Sequence, residues 1–80
     1  MMTDFERISD LGAETCKEKL QELSTDTLVK AYKGTSPENA SFLESTFTNI
    51  DFKKESELMG RVRIEEVDEA QGKILEAINR

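Results

Sequence analysis

Apolar residues recur along this chain at spacings of three and four, and the segments that carry them are separated by capping residues, glycines and one proline. This is the period of an amphipathic helix, in which one stripe turns to a core and the rest stays wet. About six short helices follow. Thr3 can cap a first turn from Asp4 to Ile8, in which Phe5 and Ile8 form an apolar pair, with an end near Ser9-Asp10. From Ala13 to Leu23 the positions Cys16, Leu20 and Leu23 fall on one face, with charged residues between them. Ser24 and Asp26 suit the start of the next helix, which carries Leu28, Ala31 and Tyr32 and stops at Lys33-Gly34, where a residue tolerant of positive φ follows a basic last turn.

Ser36-Pro37-Glu38 places a cap, an N1 proline and an early acid in the order that best starts a helix. Ala40, Leu43 and Phe47 carry it inward. Thr48 or Asn49 can cap a further helix through Met59, with Ile50, Phe52 and Leu58 as its buried contacts and Gly60 as its stop. After Arg61-Val62-Arg63, the span from Ile64 to about Asn79 forms the last and longest helix, with Val67, Ala70, Ile74, Ala77 and Ile78 on one face. Gly72 inside it marks either a close contact or a weak spot. Sustained period-two alternation is missing, so the expectation is an all-α bundle of five to six short helices in a single domain, 1-80, with Leu20, Leu28, Leu43, Phe47, Leu58, Val67 and Ile74 in one core.

Charge and composition narrow the function classes. The net charge is −6, with 17 acids against 11 bases, and this field repels a phosphate backbone, so nucleic acid is not an expected partner. No apolar run approaches the roughly 20 residues a membrane-crossing helix needs, and the N-terminus lacks the pattern of a signal peptide. The lone Cys16 and the absence of histidine point to a reducing, cytoplasmic setting and provide no Cys/His metal set. Cys16 lies on an apolar stripe, as a buried thiol does. The acids Glu65, Glu66, Asp68 and Glu69 diverge around a helix and lack the glycine turn of a calcium loop. No catalytic residues, cofactor or metal are therefore expected. What stands out is local polarity, because Lys53, Lys54, Arg61 and Arg63 gather in one short window directly before that acidic run.

With the helix pattern in place, the chain resembles the C-terminal helical subdomain of the flagellar motor switch protein FliG. The likeness runs from Met2-Thr3-Asp4-Phe5-Glu6-Arg7-Ile8 through Leu20-Gln21-Glu22-Leu23-Ser24 and Ala31-Tyr32-Lys33-Gly34-Thr35-Ser36. Its most specific part is Glu57-Leu58-Met59-Gly60-Arg61-Val62-Arg63 with Val67-Asp68-Glu69-Ala70-Gln71, similar to the family's Gly-Pro-Val-Arg and Val-Glu-x-Ala-Gln.

The resemblance implies a non-enzymatic six-helix unit whose charged ridge faces the cytoplasmic loop of a stator subunit, at the cytoplasmic face of the inner membrane in the flagellar basal body. Other flagellar switch proteins are further implied partners, and direct membrane insertion is not implied. Carried over, the ridge's first lysine matches Lys33, its acidic doublet falls on Lys54-Glu55, so that Lys54 reverses a sign, and its arginine matches Arg63. Arg61 replaces a proline. The partner-binding set expected here is Lys33, Lys53, Lys54, Glu55, Arg61 and Arg63. The alternative is a small standalone cytoplasmic adaptor or regulatory protein that keeps the fold without a motor role, a reading that the Met1-Met2 start and the ending at Arg80 also suit.

Overall fold

The chain begins with a tight turn of 3-10 helix, Phe5–Leu11, and continues through five α-helices. The computed structural model describes all residues from Met1 to Arg80, and none lies in a strand. The helices are α1 (Ala13–Leu20), α2 (Thr25–Lys33), α3 (Pro37–Thr46), α4 (Phe52–Met59) and α5 (Ile64–Ile78).

Most boundaries follow from side-chain caps that satisfy the first free backbone N–H groups. Ser24 Oγ accepts from Thr27 N at 3.1 Å, and Ser36 Oγ accepts from Asn39 N at 3.2 Å with Pro37 at N1. Two caps differ from expectation. Asp4, not Thr3, caps the first turn, since its carboxylate accepts from Glu6 N at 3.0 Å, and this turn runs on to Gly12 at φ 83. Asp51, not Thr48 or Asn49, starts α4 by accepting from Lys54 N at 3.2 Å. A carboxylate also complements the helix dipole, so Asp51 outcompetes the neutral residues before it. Helix α1 is shorter than the pattern suggests, ending at Leu20, with Leu23 half-buried in the turn beyond.

The core holds Phe5, Ile8, Cys16, Leu20, Leu28, Val29, Ala31, Leu43, Phe47, Phe52, Ala70, Ile74, Ala77 and Ile78. Val67 is half-buried, and Leu58 is 72% exposed, contrary to its expected place in the core. The reason is rotation of α4 about its axis. Phe52 is 2% exposed and sets the inner face, and Met59, seven positions later, lies under it two turns on. Leu58 is carried about 100° away from Met59, out of the seam. Two polar links, the first of them buried, join elements distant in sequence. Asn39 Nδ2 donates to Phe5 O at 3.1 Å, and the Glu6 carboxylate accepts from Ser36 N at 3.1 Å and from the Thr35 hydroxyl. The chain ends meet as well: Met2 N donates to Asn79 Oδ1 at 2.9 Å, and Asn79 Nδ2 donates to Met2 O at 2.7 Å.

Candidate functional site

Helix α2 is the platform on which the charged segment is mounted. Its amphipathic pattern buries Leu28, Val29 and Ala31, and its last turn presents Tyr32, Lys33 and Gly34 to two other helices. Against Tyr32 lies Phe52, ring centroids 4.9 Å apart and tilted by 31°, an offset contact that aromatic quadrupoles favour. Tyr32 also donates to Glu44 Oε2 at 2.6 Å. Burial, then this carboxylate, pushes the phenol up to about 12, so it stays protonated and keeps donating. Lys33 Nζ reaches α4, donating to Ser56 O at 2.9 Å and to Ser56 Oγ at 3.0 Å.

Helix α5 docks on the same platform by a different device. A Cβ at Gly34 would fall inside Val67 Cγ1, so glycine is needed there for close approach of α5 and not for backbone freedom; its φ is −114. One turn on from Val67, Gln71 Nε2 donates to Ala31 O at 3.1 Å, which also accepts from Gly34 N at 3.3 Å, and to Gly34 O at 3.4 Å, so it reinforces the end of α2. Lys30 adds a bridge from its own helix to the start of α5, pairing with Asp26 at 3.2 Å and Glu66 at 3.4 Å. Its amine is held above the usual lysine range by the hydrogen bond to Asp26 first and then by Glu66. Glu66 Oε2 also accepts from Arg63 N at 3.2 Å. That backbone N–H, then Lys30, holds the Glu66 carboxyl below its ordinary value.

Between these two docked helices runs the connector Gly60-Arg61-Val62-Arg63. Gly60 takes φ +70, a conformation that L side chains rarely adopt, and its N–H closes α4 on Glu57 O and Ser56 O. Both ends of the connector are thus tied to α2, while Arg61 and Arg63 are exposed. Helix α4 turns Phe52, Ser56 and Met59 toward the domain, so Lys53, Lys54, Glu57 and Leu58 face water.

The six residues expected to form the ridge fall into two groups. Lys53, Lys54, Arg61 and Arg63 are exposed, and none has an ion pair within 4 Å. Lys33 and Glu55 are half-buried, and Lys33 is spent on the α2–α4 seam. Lys17 apart, every other lysine or arginine has an ionic or hydrogen-bonding partner. Exposed unpaired cations are therefore concentrated at the outer face of α4 and the connector, in a chain of net charge −6.

The remaining chemistry is confined. The acids after the connector are already engaged in part, Glu66 as above and Glu69 with Lys73 at 3.6 Å. Cys16 is buried and donates to Ile8 O at 3.4 Å, and burial pushes its thiol up, away from the reactive thiolate. A separate groove of about 340 Å³ lies at the other end of α2, lined in part by Leu20, Leu23, Leu28, Phe47 and Ile50. The pairing of Gly34 with Val67 was missed by sequence reasoning. Its signal was present, in two family-like motifs that meet in space, but a glycine after a basic last turn reads first as a helix end.

The family model described as the FliG C-terminal domain matches residues 1–80. No curated protein and no solved structure matches the chain.

Proposed function

The chain belongs to the FliG C-terminal domain family, and from that membership we propose that it docks, without catalysis, on a cytoplasmic loop of the flagellar stator. The family is a component of the bacterial motor switch and serves motility through protein contacts. The docking face would be Lys53, Lys54, Glu55, Arg61 and Arg63, with Lys33 as the strut that holds α4 in place behind them. One observation carries this reading. Four exposed cations without an ion pair cluster on a segment docked at both ends, whereas every other cation except Lys17 has an ionic or hydrogen-bonding partner. Such a face steers a partner of opposite charge and fixes its orientation more than it adds raw affinity. No helix is long and apolar enough to cross a membrane, and the working place would be the cytoplasmic face of the inner membrane beside the stator.

The test is a titration of a stator-loop peptide against the domain at low and physiological salt. Binding should weaken as the Debye length contracts toward about 8 Å. Lys54→Glu, which returns the acid of the family pattern, should change affinity several-fold and leave the unfolding midpoint where it was, because an exposed unpaired side chain contributes little to stability. An affinity indifferent to both would move the interface to the apolar groove of Leu20, Leu28 and Phe47. The sign of Lys54 also favours a second reading, an adaptor that kept the fold for a different partner. In that case the stator peptide would not bind and Lys54→Glu would not restore it.

A further inference from the structure

Met1 aside, Leu58 and Ile64 are the two large hydrophobic side chains left exposed, at 72% and 73%. Every other leucine, isoleucine, valine and phenylalanine is buried or half-buried. Single exposed apolar residues are ordinary on protein surfaces. These two are set apart by their place, one at each end of the connector that carries Arg61 and Arg63. Lys54 lies one helical turn from Leu58 on the same face of α4, since residues four apart are neighbours there.

We propose that Leu58 and Ile64 are the apolar anchors of the docking face, and that the partner segment is an amphipathic helix that covers them with an apolar stripe and sets acids against Lys54, Arg61 and Arg63. The proposal rests on the reading of this face as the protein-binding surface. Charge complementarity selects the occupant. The cations are unpaired, so acids on a partner meet no competing intramolecular bond. Yet Glu57, Glu65 and Asp68 are interleaved with the same anchors and exposed. A uniformly anionic bilayer would press its charge on those acids as well as on the cations, and the chain's net charge of −6 opposes it further. A helix can place discrete acids and leave room for the rest. Water-exposed cations alone orient a partner loosely, and a buried apolar contact at the centre with charges at the rim is the arrangement that holds one.

The experiment uses a synthetic amphipathic helix with leucines on one stripe and glutamates flanking it, together with a twin in which serines replace the leucines. Both are titrated against the full chain by fluorescence anisotropy at two salt concentrations. The leucine peptide should bind, and Leu58→Ser or Ile64→Ser should weaken it by about tenfold at either salt, because apolar burial is not screened. Leu58→Met should retain binding, and circular dichroism should show the same helix content for each variant. Lys54→Glu should cost affinity mainly at low salt, which tests the docking face itself. Charge dependence without dependence on Leu58 or Ile64 would overturn the anchors and leave the docking face standing. Equal binding of the serine twin, or no binding of the leucine peptide, would overturn the proposal as well. So would co-sedimentation with phosphatidylglycerol vesicles that is lost on Leu58→Ser while the peptide stays unbound, because the face would then be a lipid contact.

Discussion

Gly34→Ala is the substitution for which the structure makes the sharpest energetic statement. The added methyl would occupy the place of Val67 Cγ1, with Val67 Cβ at 3.5 Å and Gln71 Nε2 at 3.7 Å. Backbone strain does not enter, because φ at this position is −114. In open space the change would stabilise by about 0.4 to 1 kcal/mol through the unfolded chain. Valine in a helix is nearly restricted to one χ1 well, so it cannot swing aside cheaply. The clash must then be relieved by moving α5 off α2, and overpacking of this kind costs about 1 to 3 kcal/mol. For a domain of this size, each 1 kcal/mol corresponds to roughly 4 to 8 °C in Tm. Urea denaturation followed by circular dichroism measures the loss, and Val67→Ala supplies the control. With Cγ1 gone, Gly34→Ala should be neutral or mildly stabilising, a coupling of at least about 1 kcal/mol between the sites. Equal destabilisation in both backgrounds, or none in either, would refute the account of why this residue is glycine.

Gly72→Ala is the counterpart, since no atom lies within 4 Å of a Cβ built there and the position is mid-helix; thermal melts should show a gain of about 0.5 to 1 kcal/mol. Leu43→Ala empties a side chain that is fully buried, and should cost about 2 to 5 kcal/mol in the same denaturation assay. Burial pushes the Glu6 carboxyl up, but hydrogen bonds from Ser36 and Thr35 outweigh it and hold the group below its ordinary value of 4.5. A depressed folded pKa contributes stability at neutral pH that disappears as pH falls through that lowered value. The stability difference between the parent and Glu6→Ala, followed from pH 7 down to pH 3, should therefore shrink below about 4.5.

The local code was readable along most of the chain. Ser24, the Ser36-Pro37 start and the Gly60 stop do in the structure what their chemistry predicts, because capping and positive φ are properties of a few adjacent residues. The clustering of Lys53, Lys54, Arg61 and Arg63 was equally visible, since neighbours in sequence across one short connector remain neighbours in space. Lys33 was placed with them by resemblance, and nothing local could show that its ammonium is taken up by Ser56. That bond joins residues 23 positions apart.

Two features were decided by tertiary packing alone. Leu58 is as apolar as any core residue, but the rotation of α4 follows Phe52 against Tyr32, and that contact turns Leu58 to water. Gly34 reads in sequence as a helix stop, and only the arrival of Val67 shows that close approach is what requires a glycine there. The site itself depends on both. Sequence determined which charges exist and where helices begin and end, since those depend on groups within a turn of each other. Which face each helix shows was decided by contacts between residues far apart in the chain, where hydrophobic burial is non-directional and only shape complementarity chooses among rotations.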